Sequence, residues 1–100
     1  MAVRSFSSKQ PYEEYYVAFD FFRVIDDGAT ISSATVSAVD ALGASATSTV
    51  TSVGKQAVSG SRVNVWVQGG TAQRYKITCK ILTSTSEKYE QDAYLTVVEE

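Results

Sequence analysis

The chain has 100 residues, of which 44% are hydrophobic and 11% aromatic, so it has room for one domain with one core. Nine Lys and Arg against eleven Asp and Glu give a formal net charge of -2 without a basic block, which argues against nucleic acid as a partner. No apolar run approaches the roughly 20 residues that span a bilayer, and no signal-peptide stretch follows the first residues, so no membrane partner is expected and synthesis in the cytoplasm is predicted.

The first 14 residues form a polar leader. It holds several Ser residues and the sole proline, Pro11, and it has little periodic apolar content. We therefore predict a flexible arm over residues 1–14 and a folded domain over residues 15–100. The arm is interpreted as an assembly element that becomes ordered against a partner, with Tyr12, Tyr15 and Tyr16 as its anchor.

Three segments with strand composition follow the leader. Residues 15–25 are dense in aromatic and β-branched side chains, and the turn sequence Asp26-Asp27-Gly28 ends them. Residues 31–39 and 46–53 are rich in Ser, Thr and Val and predict two half-exposed strands with a break at residues 40–43. A second polar break is predicted over residues 54–60.

The second half of the chain has the clearest strand patterns. Apolar residues at 63, 65 and 67 alternate with Asn64, Trp66 and Gln68, and Gly69-Gly70 is predicted to turn the chain as a hairpin. Beyond this turn, apolar residues at 75, 77, 79 and 81 alternate with polar ones, which is incompatible with a helix. Residues 93–98 predict a last strand.

About seven short strands without a helical period predict an all-β, immunoglobulin-like sandwich of two antiparallel sheets. Tyr75 follows the glycine turn and precedes Ile77 by two residues, as in a tyrosine corner, where the phenol hydroxyl bonds a nearby backbone group. Ile77 then holds the place of the second immunoglobulin cysteine. The alternative is that Tyr75 is only a core aromatic at the start of a strand.

The order of these elements resembles the fiber-tail adaptor proteins of phages and prophages over residues 15–98. The resemblance is carried by Phe19-Asp20-Phe21-Phe22, Asp27-Gly28-Ala29-Thr30-Ile31, the run from Trp66 to Ala72 with Gly69 and Gly70, Tyr75-Lys76-Ile77-Thr78, and Leu95-Thr96-Val97. Gln73 stands where a second turn glycine is usual, so the geometry of that turn departs from the family pattern. The resemblance implies an immunoglobulin-like domain in a virion tail or in a protein that connects tail components.

No residue pattern indicates catalysis, a cofactor or a metal site, and we expect none of the three. The chain has no histidine, and its one cysteine, Cys79, lies on the apolar side of its strand, where an inert buried thiol is expected. Adjacent carboxylates at 13–14, 26–27 and 99–100 point to opposite faces of an extended chain. Asp20, Asp26, Asp27 and Asp40 would have to converge to hold Ca²⁺, which their separation does not favour.

Large aromatic side chains are the remaining candidates for function. Trp66 lies on the face opposite the three valines of its strand, and Tyr12, Tyr15 and Tyr16 crowd the start of the body. Trp and Tyr anchor interfaces more often than other residues do. The same side chains would equally serve to cover the outer side of the sandwich, so both interpretations stay open at this point.

Two classes of function therefore remain. The first is a structural protein of a phage particle that joins or decorates tail or connector components, with other virion proteins as partners and as a homo-oligomer or ring. The second is a module that binds carbohydrate or a cell surface, because the same fold and aromatics suit that role. The resemblance favours the first class, and it implies location in the virion after synthesis in the cytoplasm of a bacterial host.

Overall fold

The computed structural model describes residues 3–6, 8–25 and 28–99 and shows a nearly all-β chain. The strands are β1 (Val3–Ser5), β2 (Tyr15–Asp20), β3 (Ile31–Val39), β4 (Thr51–Ser59), β5 (Arg62–Val67), β6 (Gln73–Thr83) and β7 (Lys88–Val97). One short helix, α1 (Thr47–Val50), precedes β4. Within the described residues, no helix has the length and apolar character needed to cross a membrane.

The strands form two sheets, one in the order β1-β7-β6-β3 and one in the order β2-β5-β4. All pairs are antiparallel except β1, which runs parallel to β7. Strands β2, β5 and β4 hold the positions of strands B, E and D of an immunoglobulin sandwich, and β3, β6 and β7 hold those of C, F and G. The predicted two-sheet immunoglobulin-like sandwich is confirmed.

The core lies between the sheets and follows the two-residue period of the sequence. In β6 the side chains of Tyr75, Ile77, Cys79 and Ile81 are buried, while those between them are exposed or half-buried. The inward side chains of β5 and β7 come from Val63, Val65, Val67, Ala93, Leu95 and Val97. This alternation fixes the register, because a slip by one residue would turn every apolar side chain outward.

The described residues of the leader are part of the sandwich, which corrects the expectation of an arm outside it. Strand β1 pairs with β7, with Ser5 opposite Tyr94, and Phe6 N donates a hydrogen bond of 2.9 Å to Tyr94 O. The Phe6 ring meets the buried Phe19 ring edge-on at 5.5 Å. Polar composition predicted an arm, but backbone pairing with a sheet edge and one aromatic contact place these residues on the domain.

The segment predicted as a strand over residues 46–53 contains a helical turn instead. Thr49 N and Val50 N both donate to Ala46 O, at 3.0 and 3.1 Å, and Val50 is fully buried. Ser, Thr and Val suit a strand by composition, but one turn of helix places Val50 in the core. The predicted break at residues 54–60 is also wrong, because β4 runs to Ser59 with a register irregularity between Ser52 and Ala57.

The ends of two other predicted strands also differ. Strand β2 stops at Asp20, whose Oδ1 accepts a 2.9 Å hydrogen bond from Phe22 N and so turns the chain. Strand β7 begins at Lys88 and is longer than residues 93–98, because β6 continues to pair with it through its polar half. The predicted turn at Asp26 and Asp27 lies outside the described residues.

Candidate interaction surface

A buried lysine fixes the leader to the sandwich. Lys9 N donates to Thr96 O at 3.0 Å, and Val98 N donates to Lys9 O at 2.8 Å. The Lys9 side chain is fully buried, and its Nζ donates to Gln10 O at 2.8 Å and to Gly69 O at 2.6 Å. Burial lowers the pKa of Lys9 below its usual value, although the carboxylates of Glu13 and Glu14 oppose this shift.

The residues after Lys9 form a rigid turn that displays Tyr12. Glu13 N donates to Gln10 O at 3.0 Å, which closes a β-turn with Pro11 at its second position. Glu13 Oε1 in return accepts a 2.7 Å hydrogen bond from Gln10 N. The Tyr12 side chain stands in solvent with 94% of its surface exposed. An aromatic side chain held out by an ordered turn loses little entropy when a partner covers it.

Trp66 lies on the outer face of the β2-β5-β4 sheet beneath two neighbours. Its ring meets the Tyr16 ring edge-on at 5.0 Å, and Lys55 Nζ lies 4.0 Å from its centre. Tyr16 Oη donates a 2.8 Å hydrogen bond to Lys55 O, which ties the two covering residues together. Trp66 Nε1 is buried and has no hydrogen-bond partner among the described residues. A buried N–H without an acceptor is unusual in a folded protein.

A cavity of about 770 Å³ joins the turn to the sheet. It is lined by Pro11, Tyr12, Glu13, Glu14, Tyr15 and Trp66, and we call it the leader cavity. Burial, with a smaller effect from Glu13, raises the pKa of Tyr15. The structure thus brings three of the four predicted interface residues, Tyr12, Tyr15 and Trp66, to one cavity and places the fourth, Tyr16, against Trp66.

Gly69 and Gly70 connect the two sheets, so the predicted hairpin at this position is wrong. Strands β5 and β6 belong to different sheets and do not pair with each other. Both glycines have positive φ, +52° and +94°, and a Cβ on Gly70 would lie 3.0 Å from Val97 Cγ2. Glycine is therefore required here by backbone conformation and by close packing.

Tyr75 makes the contact predicted for a tyrosine corner. Its ring is buried, and its Oη accepts a 2.9 Å hydrogen bond from Thr71 N, four residues upstream. Thr71 Oγ1 lies 3.2 Å from the same oxygen. Ile77 follows in the core with no exposed surface. Tyr75 therefore ties the connection between the sheets to the start of β6.

Cys79 is completely buried, and burial raises its pKa to about 12. A thiol with so high a pKa has almost no thiolate at neutral pH, and the thiolate is the reactive form.

Two of the acidic residues considered as metal ligands, Asp20 and Asp40, serve local structure. Asp20 Oδ2 lies 3.7 Å from Arg62 Nη2, and Asp40 Oδ1 accepts from Leu42 N and Ala44 N, both at 2.9 Å. Within residues 3–6, 8–25 and 28–99, no group of three or more His, Cys, Asp or Glu side chains is placed to hold a metal ion. Asp26 and Asp27 lie outside those ranges.

A second exposed region, at the far end of the sandwich, was not predicted from the sequence. The turn after β2 carries Phe22 and Val24 with 73% and 42% of their surface exposed. A cavity of about 810 Å³ beside it is lined in part by Val24, Leu82 and Lys88. The apolar run in residues 19–25 could have indicated this region, because one short strand cannot bury all of it.

The fold is that of an immunoglobulin-like domain with an aromatic surface beside the leader cavity. The sequence pattern of the podophage GP4 fiber-tail adaptor protein gp77 matches residues 9–96, and the chain belongs to this family. It is accordingly a structural protein of the bacteriophage tail, with a role in assembly. None of the curated proteins matches the chain.

Proposed function

We propose that this chain joins or decorates components of a phage tail or connector by binding other virion proteins, and that it does so as a homo-oligomer or ring in the assembled particle. It acts without catalysing a reaction, after synthesis in the cytoplasm of a bacterial host. The observation that carries the proposal is the family match over residues 9–96, which includes the anchored turn and the whole of both sheets apart from β1 and the last residue of β7.

The leader cavity and its surroundings are the proposed contact surface. Tyr12 is almost fully exposed on a turn that two hydrogen bonds close, and Trp66 and Tyr16 pack together on the adjoining sheet. Large aromatic side chains on rigid supports contribute most to binding energy in protein interfaces. Lys9 supports this surface from below, because its Nζ holds both the turn and the Gly69 connection.

Incorporation into tail particles tests the proposal. Particles are assembled with the wild-type chain, with Tyr12→Ala or with Leu42→Ala, and the bound chain is quantified after purification of the particles. Leu42 is the matched control, because it is also 94% exposed but does not line the leader cavity. We expect Tyr12→Ala to be depleted from particles at least about tenfold, the effect of roughly 1.4 kcal/mol, with Leu42→Ala incorporated normally.

Normal incorporation of Tyr12→Ala would show that the contact lies elsewhere. The carbohydrate-binding alternative is tested on a glycan array with the same proteins. Binding of a glycan that Tyr12→Ala abolishes, together with absence of the chain from particles, would favour that alternative, since exposed aromatics beside carboxylates also suit sugars.

A further inference from the structure

The turn after β2, residues 21–25, is as firmly built as the turn that carries Tyr12, and we call it the tip turn. Phe21 is fully buried, and its N donates to Ser61 O at 2.8 Å. Val24 N and Ile25 N donate to Phe21 O at 3.0 and 3.1 Å. Three backbone hydrogen bonds and one buried ring therefore hold the tip turn to the domain.

The tip turn exposes one basic side chain between two apolar ones. Arg23 is exposed and makes no hydrogen bond or ion pair with the residues that the structure describes. Phe22 and Val24 flank it, and both are largely in solvent. A turn with an exposed aromatic and an exposed arginine has the composition of an interface centre.

The tip turn and the leader cavity lie at opposite ends of β2. Tyr15 at the start of β2 lines the leader cavity, and the tip turn follows Asp20 at its end. A strand of this length spans about 20 Å, and the molecule measures 45 Å along its longest axis. The two surfaces therefore cannot meet within one molecule.

Within residues 21–25 the only charged side chain is Arg23, so the tip turn complements the leader cavity in charge and in apolar character. The leader cavity is lined by the carboxylates of Glu13 and Glu14 and by aromatic rings, and its lining holds no basic residue. We propose that the tip turn of one copy of this chain docks into the leader cavity of a second copy, with Arg23 entering between Tyr12 and Glu14. This inference rests on the proposed function, because it names the contact through which copies of the adaptor join.

The chemistry of the contact is that of a guanidinium between a ring and a carboxylate. An arginine pairs with a carboxylate through its planar fork and stacks on an aromatic face. The same stacking occurs elsewhere in this molecule, where Arg74 Cζ lies 3.8 Å from the centre of the Tyr94 ring. Tyr12 offers an uncovered ring for Arg23, and Phe22 and Val24 supply apolar area around it.

A contact between two different surfaces of identical chains is head-to-tail. Such a contact closes into a ring if the rotation between neighbours closes, and otherwise continues as a filament. Each copy in the interior of the assembly uses both of its ends.

The first test reverses the charges of Arg23 and Glu14, one at a time and together. Sedimentation velocity over a range of concentrations measures self-association of the wild type, Arg23→Glu, Glu14→Arg and the double variant. We expect each single variant to associate at least about tenfold more weakly, because like charges then face each other, and the double variant to regain most of the loss. Arg74→Glu is the control for reversing an exposed basic charge, because Arg74 lines neither the leader cavity nor the cavity beside the tip turn.

Mixing is the second test, because it distinguishes head-to-tail from symmetric contacts. Arg23→Ala keeps its leader cavity, and Tyr12→Ala keeps its tip turn. At a concentration where the wild type assembles and each variant alone stays monomeric, an equimolar mixture should form dimers and nothing larger, since only one type of contact keeps its full strength. A mixture that stays monomeric, or that forms the wild-type assembly, overturns the proposal.

The outcomes separate this inference from the proposed function. A wild-type chain that remains monomeric at all concentrations, or single variants that associate like the wild type, overturns the head-to-tail contact. If Tyr12→Ala is still depleted from particles in either case, the adaptor surface stands and its occupant is a different tail protein. If Arg23→Glu loses self-association but enters particles normally, the contact stands and the role of self-association in assembly fails.

Discussion

Burial determines the chemistry of Cys79. The thiol lies in the middle of β6 with no exposed surface, and burial raises its pKa to about 12. We expect thiol reagents to label it only after unfolding. The folded protein should show no absorbance or mass change with the reagent, and the unfolded protein should show both. Cys79→Ala should cost on the order of 1 kcal/mol or more in unfolding free energy through lost packing. Rapid labelling of the folded chain at neutral pH would contradict this.

The hydroxyl of Tyr75 makes a hydrogen bond that Phe cannot make. Tyr75→Phe keeps the buried ring but leaves Thr71 N without its acceptor. We expect the free energy of unfolding to fall by roughly 0.5–1.5 kcal/mol, measured as a shift of the denaturant midpoint at constant slope. Tyr12→Phe is the matched control, because its ring is exposed, and it should leave the midpoint unchanged. Equal midpoints for both variants would mean that the Tyr75 hydroxyl contributes nothing to stability.

Among the structural elements, strands with strict alternation were the most predictable. The inward residues of β5 and β6 follow from the two-residue period alone, because each sheet buries one face. Helix α1 was not predictable in this way, since its four residues make only about one turn, too short to show a repeating pattern, and their composition suits a strand. Strand β1 was missed because its three residues gain stability from pairing with β7, a contact that local sequence does not show.

The proposed contact surface was predictable only in part, because part of it depends on contacts between residues far apart in the chain. Tyr12, Tyr15, Tyr16 and Trp66 stand out in the sequence as large aromatics in excess of one core. Lys9 does not, because lysine is almost never fully buried and a polar leader gives no reason to expect it. Its place depends on Gly69 O, which is 60 residues away in the chain.

The connection between the leader and the Gly69 region depends on Lys9. Lys9→Met removes both hydrogen bonds of Nζ while keeping the length of the side chain, and we expect it to lower the free energy of unfolding by about 1–2 kcal/mol near neutral pH. Lys88→Met, which replaces an exposed lysine, should have no measurable effect. Chemical denaturation of the three proteins measures the difference.

The effect of Lys9→Met should also depend on pH. The folded pKa of Lys9 is lower than its unfolded pKa, so between the two values the unfolded chain binds more protons and stability rises with pH. Cys79 and Tyr15 have raised pKa values and oppose this trend, but they are present in both proteins and cancel in the difference. The stability gap between wild type and Lys9→Met should therefore widen from about pH 7 to about pH 10. A gap that narrows would mean that charged Lys9 is favoured in the fold.

At the scale of the whole molecule, the leader determines whether the sandwich is complete. It contributes a fourth strand to one sheet through β1, an aromatic contact to the core through Phe6, and the bonds of Lys9 to the connection between the sheets. The Phe6 contact reaches the second sheet near the end of β2 at Asp20, whereas the bonds of Lys9 lie at the end that carries the leader cavity. The leader is thus a structural part of the domain as well as the support of its proposed interface.

Deletion of residues 1–10 tests this view of the molecule. Composition alone predicts a thermal midpoint within a few degrees of the full chain, because an arm contributes nothing to the fold. The structure predicts a loss of about 3 kcal/mol or more, from the Phe6 contact and the Lys9 hydrogen bonds together, and a fall of the thermal midpoint by about 10 °C or more. Amide exchange of the full chain gives an independent readout: Lys9 N and Val98 N donate to sheet partners and should be protected to a similar degree as the amides of β5. The opposite result is a truncated protein with the same thermal midpoint as the full chain, together with free exchange of both amides. In that case residues 3–9 contribute nothing to the stability of the domain, and the prediction of a flexible arm is correct.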